Sequence, residues 1–208
     1  MNEYFVPAGE GEAELTEKRS SFLGHVRPAE TEDAAREFIN EMKKKHYDAR
    51  HNCWCYIIRG GAVRYSDDGE PQGTAGLPML EVFRREGVEN VVCVVTRYFG
   101  GVLLGTGGLL RAYTKSAKDA LDAAGIAAVR PWARIELDCP YSLLERMKTQ
   151  CEALGGAVQD IEYGAQVRLA LLLPEAEAEN FRDRVTELSA GQSEALVTGL
   201  EHMPVRVK

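Results

Sequence analysis

The 208-residue sequence has no apolar run near the roughly 18 residues that a membrane-spanning helix needs. Residues Met1 to Glu10 lack the basic start and apolar core of a signal peptide, so a cytoplasmic location and no membrane partner are expected. Histidines number four, at positions 25, 46, 51 and 202, and no His-x-x-x-His pair occurs. The five cysteines are an odd number. Cys53 and Cys55 would share one strand face, yet no second pair follows at zinc-site spacing. Cys93 and Cys151 lie in apolar settings, so reduced structural thiols are expected, with no metal and no cofactor. No Gly-Lys-Ser/Thr follows the glycines, and Gly105 to Leu110 fails the dinucleotide pattern because its last position is Leu110. No Gly-x-Ser-x-Gly is present either. Net charge is −7, with 8 basic and 13 acidic residues from Pro131 onward against 17 and 19 before it. Diffuse nucleic-acid binding is thereby disfavoured, but a local basic patch on the first part is not.

Against these absences stands one glycine-dense stretch. Gly100, Gly101, Gly105, Gly107 and Gly108 fall between an apolar strand, Val91 to Val95, and a helical pattern in which Leu110, Tyr113, Ala117, Leu121 and Ala124 mark the inward face. Glycines allow positive φ and close approach of the backbone to a ligand. A helix opening at Thr106-Gly107-Gly108 would present free N–H groups to an anion, flanked by Arg97 and Arg111. The alternative is that the glycines serve tight packing and that Arg97 pairs with Asp67 or Asp68. Arg111, Lys115 and Lys118 form a basic row along the outer helix face, either for phosphate or simply solvated.

A second stretch, Tyr65 to Leu80, holds Asp67-Asp68-Gly69-Glu70-Pro71-Gln72-Gly73-Thr74, which is turn chemistry throughout. Together with Arg97-Tyr98-Phe99-Gly100-Gly101, Leu104 to Leu109 and Ala49-Arg50-His51-Asn52-Cys53, it resembles the signature of the YigZ/IMPACT family, in the two-domain form of its bacterial members. The resemblance implies an α+β protein whose first domain, residues 1–130, has the fold of a small-subunit ribosomal protein and of elongation factor G domain IV. It also implies a role in regulating translation. Eukaryotic IMPACT relatives interfere with activation of the amino-acid-starvation kinase through an additional N-terminal domain that is not found in this sequence. The shared domain would then contact RNA, the ribosome or a translation partner through one surface. That surface would comprise Asp67, Asp68, Gly69, Glu70, Gln72, Gly73, Thr74, His51, Arg97, Tyr98, Gly100, Gly101, Gly105, Thr106, Gly107, Gly108 and Arg111.

Elsewhere the patterns are regular. Thr31 caps a helix carrying Ala35, Phe38, Ile39 and Met42, Gly60-Gly61 marks a hairpin, and Pro78 suits a helix's first turn. Residues 126–131 are the expected domain boundary. From 131 to 208, strand alternation over Trp132 to Cys139, a capping box at Ser142 to Glu145, a hairpin around Gly164, a helix opened by Pro174 and a last strand from Ala195 predict a ferredoxin-like βαββαβ unit. An enzyme is not the expectation. The second reading is a hydrolase or phosphate-metabolite enzyme using Asp67, Asp68, Glu70 and His51, because clustered carboxylates can hold a divalent cation.

Overall fold

A computed structural model describes residues 3–207 as mixed α/β, with two antiparallel sheets and five α-helices among them. The chain forms two compact units, one of Tyr4–Val129 joined by the residues from Pro204, the other of Arg130–Met203 with Glu3. No helix among the described residues is long and apolar enough to cross a membrane.

In the first unit, strands β2 (Gly11–Glu17), β3 (Ser20–Pro28), β4 (His51–Ile57), β5 (Val63–Ser66) and β6 (Val91–Tyr98) form a sheet of order β2-β3-β6-β4-β5. Side chains alternate across it, as strand geometry requires. Cys53, Cys55, Cys93, Val95 and Phe22 face one core with α2 (Gly76–Glu86) and α3 (Thr106–Ala124). Tyr56, Val92 and Val94 face another, under Phe38, Ile39 and Met42 of α1 (Glu32–Lys45). The stretch before residue 15 holds β1 (Tyr4–Pro7) and most of β2, the latter an edge strand of this sheet. α3 lies so close to β3 that a Cβ on Gly24 would stand 2.5 Å from the Ser116 carbonyl, which is why its inner face is rich in alanine and serine.

Of the expected inward stripe of α3, Tyr113, Ala117, Leu121 and Ala124 are buried, and Leu109, Ala112, Ser116 and Ala120 widen it. Leu110 alone departs, at 45% exposed. β6 runs on to Tyr98, three residues beyond the apolar segment, because Thr96 and Arg97 find buried polar partners.

β7 (Ile126–Cys139) is extended throughout, so the expected boundary at residues 126–131 lies within a strand. Ile126 to Val129 pair with β1 in the first unit, and Trp132 to Cys139 pair with β9 in the second. Arg130 and Pro131 pair with neither, so the proline's missing N–H removes no ladder bond to those strands. The second unit continues with α4 (Leu144–Ala153), β8 (Ala157–Tyr163), β9 (Val167–Pro174), α5 (Ala178–Leu188) and β10 (Ala195–Arg206), in the spatial order β10-β7-β9-β8. Its core joins Ile135, Leu137, Leu169 and Leu171 to Met147 and Cys151 of α4 and Phe181 and Val185 of α5. The capping box does not form. A single 3-10 turn, Tyr141–Leu143, starts the helix a turn early, and Leu143 N–H donates to the Pro140 carbonyl at 2.9 Å. Pro174 ends β9 and caps a 3-10 turn, Glu175–Glu177, that runs directly into α5, as expected of a helix-opening proline. All five cysteines are free and buried, and burial pushes the Cys151 thiol up to about 11.

Beneath the end of α1, the rings of His25 and His46 lie 5.5 Å apart. His25 Nδ1 meets the Glu12 carboxylate at 3.2 Å, and His46 Nδ1 meets the Tyr98 hydroxyl at 3.0 Å. Burial lowers both pKa values below 6.5, and the Lys45 ammonium adds to the effect at each ring. An unfolded chain binds protons at these rings before the folded one does, so stability falls as pH drops below about 6.5 toward the folded values. Urea midpoints are expected to fall between about pH 7.5 and 5.5, and to fall less in the double variant His25→Gln, His46→Gln. Equal slopes for both proteins would remove the two rings from the account.

The division near residue 130 makes its own prediction. A fragment of residues 132–208 is expected to unfold in one cooperative thermal transition, since its apolar cluster is complete without the first unit. A broad, non-cooperative melt of the isolated fragment would contradict that division.

Candidate functional site

The loop between β5 and α2 is folded around two aspartates. Asp67 accepts from three backbone N–H groups: Gly73 at 2.8 Å, Ala75 at 3.1 Å and Gly76 at 2.8 Å. Its carboxylate therefore sits on the N-terminus of α2, whose own cap residue Ala75 supplies no side-chain bond. Asp68, at φ 41°, accepts from Lys43 Nζ at 2.9 Å and from Asn52 N–H at 2.8 Å. Its carbonyl is 2.9 Å from His51 Nδ1. A carbonyl only accepts, so His51 Nδ1 carries the proton.

Glu70 is the buried centre of this loop. Its Oε1 accepts from Arg97 Nη1 at 2.6 Å and from the Tyr113 hydroxyl at 2.8 Å, and His51 Nε2 lies 3.9 Å away. Arg97 is 5% exposed, and its guanidinium carbon lies 5.5 Å from the Phe22 ring centroid and 5.4 Å from that of Phe99. Burial, with Cys53 and Glu70 beside it, raises the Tyr113 pKa strongly, so the hydroxyl stays protonated and acts as donor. Arg97 is thus tied to the Asp67–Thr74 loop, as the packing alternative holds, but its partner is Glu70 rather than Asp67 or Asp68. Tyr113 completes the cluster and was expected only as core. Thr74 belongs to the same fold of chain, donating to the Pro71 carbonyl at 2.6 Å, while Gln72 and Gly69 face solvent.

The glycine loop lies at the outer end of this assembly. Gly100 is pressed against the β2–β3 turn. A Cβ there would fall 2.0 Å from the Arg19 carbonyl, so no other residue fits without moving the turn. Gly100 N–H donates to Ser20 Oγ at 3.2 Å. The loop continues through Gly101 and Gly105, both at positive φ, to α3, which opens at Thr106 with no side-chain cap. The Arg111 guanidinium lies over Gly107, 3.6 Å from where a Cβ would stand. Of the expected basic row, Lys115 pairs with Asp119 at 2.7 Å, and Lys118 pairs with Asp122 and with Glu86. Tyr98 points to the α1 side, donating to Asp48 at 3.1 Å, and so stands apart from Arg97.

Three cations near the loop went unforeseen. Arg50 lies 5.4 Å from the centroid of Phe99, and Lys18 and Arg19 form the turn that Gly100 touches. Lys18, Arg19, Arg50 and Arg111 are exposed, and none has an ion-pair partner among the described residues. Arg50 stands in the matching stretch Ala49 to Cys53, which was the available signal. A separate cavity of about 530 Å³ lies between α2 and α3, lined by Leu77, Pro78, Val82 and Leu110, and of the expected site it includes Gly73 alone.

The hydrolase reading of Asp67, Asp68, Glu70 and His51 finds no support in this geometry. Asp67 and Asp68 are saturated by backbone N–H groups and a lysine, and Glu70 is buried in an ion pair, so none presents a free carboxylate. Among the described residues no three histidine, cysteine or carboxylate side chains are grouped as a metal site.

Comparison with known proteins agrees with the loops just described. Residues 18–121 match the family model described as Impact N-terminal domain, and residues 137–192 match a domain of unknown function, DUF1949. The chain is 36% identical to the IMPACT family member YvyE of Bacillus subtilis over 93% of this chain and 90% of that one. It is 33% identical to the IMPACT family member YigZ of Escherichia coli over 94% and 98%. The chain belongs to the IMPACT family. A solved structure titled as that of a hypothetical protein is 32% identical, covers 96% of this chain and 98% of its own, and superposes with a TM-score of 0.60. The rat protein IMPACT aligns over 98 residues at 33% identity, 45% of this chain and 31% of the rat one.

Two arginines of this family member are set apart by their surroundings. Arg97→Ala is expected to cost about 3–5 kcal/mol, because it strands a buried Glu70, whereas Arg111→Ala should change stability by less than about 0.5 kcal/mol. Urea denaturation of both variants measures the contrast, and a small loss at Arg97 would show that the pair is not what holds the loop.

Proposed function

We propose that this protein is a translation-associated binding protein that contacts RNA through the glycine-loop surface of its first unit. One observation carries the reading. Lys18, Arg19, Arg50 and Arg111, all exposed and unpaired among the described residues, surround Phe99 and the glycine loop in a chain whose net charge is −7. Isolated positive charge on an acidic protein favours a local contact with phosphate over diffuse attraction. Phe99 is 37% exposed and offers a ring on which an unpaired base can stack. The uncapped start of α3, beside Arg111, adds backbone donors for a phosphate oxygen.

In this reading the buried Glu70–Arg97–Tyr113 cluster is scaffold, and the outer residues make the contact. The first unit would be a domain of the ribosomal-protein and elongation factor G domain IV type, and the second a ferredoxin-like domain. Regulation of translation is what the likeness to eukaryotic IMPACT proteins suggests, and it concerns the shared domain only.

Titrating a single-stranded RNA at several salt concentrations tests the contact. Arg19→Ala and Arg111→Ala are each expected to lower the salt slope by about 0.7 and to leave the melting temperature within about 2 °C. Unchanged affinity and slope in both folded variants would refute the proposed surface.

A further inference from the structure

α1 covers only part of its side of the sheet. Toward the β5 edge an open cavity of about 370 Å³ remains, lined by Arg36, Asn40 and Lys43 of α1 and by Trp54, Tyr56 and Arg64 of the sheet. Positions 36, 40 and 43 recur at helical spacing, so the three polar side chains leave one face of α1. Trp54 and Tyr56 are two apart on β4 and share a face, with ring centroids 5.6 Å apart and planes within 7° of parallel. Tyr56 is 2% exposed and Trp54 half-buried, so the ring surface open to the cavity is that of the indole.

The charges around this ring are of one sign more than the other. Arg64, opposite Tyr56 in the strand register, bonds only the Val63 carbonyl and has no carboxylate within ion-pair distance. Arg36 pairs with Glu32, and Lys43 with Asp68 at 2.9 Å. Three cations and two carboxylates leave one positive charge uncompensated, and it stands beside an accessible aromatic face. An apolar ligand would strip water from the guanidinium groups without pairing them. A bare anion would leave the indole unused. A flat aromatic body carrying a phosphate satisfies both halves, and Asn40 adds an amide able to donate to and accept from a base edge. The volume falls within the about 300–1,000 Å³ of small-molecule sites, near the lower end, which suits one nucleotide unit.

We propose that this cavity binds a single nucleotide unit, with its base stacked on Trp54 and its phosphate held by Arg64. The cavity shares no residue with the glycine-loop surface, and neither proposal depends on the other. The unit can come from a free nucleotide or from a position in an RNA strand, and the test separates the two.

The sequence holds two tryptophans, so Trp132→Phe leaves Trp54 as the single reporter. Its fluorescence is followed while AMP, adenosine and a short single-stranded oligoadenylate are added to the full chain. Saturable quenching by AMP is expected, with adenosine binding several-fold more weakly for want of the phosphate. Arg64→Ala should weaken AMP on the order of tenfold and leave adenosine unaffected. Equilibrium dialysis of labelled AMP with Trp54→Ala should show a loss on the order of tenfold or more. Quenching by the oligonucleotide without quenching by AMP places the unit within a strand and also supports the site. In Arg19→Ala the quenching should persist while RNA affinity at the glycine loop falls, which tells the two sites apart. No saturable quenching by any of the three ligands overturns the proposal. Quenching that Arg64→Ala leaves untouched does the same, and that variant alters an exposed side chain whose one bond is to a neighbouring carbonyl.

Discussion

Glu70 and Arg97 meet in a buried ion pair on which the signature loops depend. Arg97 comes from the end of a central strand and Glu70 from the loop that precedes α2, so their contact joins segments 27 residues apart in sequence. A carboxylate and a guanidinium out of water are costly unless other donors complete them. Tyr113, from α3, supplies such a donor, and the Phe22 and Phe99 rings flank the guanidinium. The pair thereby fixes the relative positions of β6, α3 and the β5–α2 loop. Phe99 carries that order outward to the glycine loop, where Arg50 meets its ring.

The division of labour between buried and exposed arginines is the functional sense of this arrangement. A guanidinium already held by a carboxylate has little to offer a phosphate, and one that has no partner has everything to gain from it. The family signature contains both kinds, Arg97 holding the scaffold and Arg50 standing at its rim, and Arg111 follows just beyond its last stretch.

Much of this was legible in the sequence, for identifiable reasons. Alternation over β4 and β6, the Gly60-Gly61 turn and the buried stripe of α1 are local patterns, and each element formed close to where its period placed it. The resemblance carried by Asp67 to Thr74 and Arg97 to Gly108 pointed to the family. What was not legible was tertiary. Leu110 has the right spacing for a core position, but α3 turns its alanine and serine face to β2 and β3, since only small residues allow that approach. The partner of Arg97 could not be chosen among three nearby acids, because Asp67 and Asp68 are claimed by backbone N–H groups of a loop whose shape the sequence does not reveal. The Ser142 capping box lost to a turn led by Pro140, two residues earlier.

β4 is seven residues long, and its alternation sends His51, Cys53 and Cys55 to one side of the sheet and Asn52, Trp54 and Tyr56 to the other. Odd positions serve the ion-pair cluster and even positions serve the cavity beside α1. A substitution in this strand can therefore drift on one side with little effect on the other. An insertion or deletion cannot, because a shift of one residue exchanges the two sides entirely. Relatives of this protein should be free to vary the chemistry of either face independently while the length of this one strand stays constant.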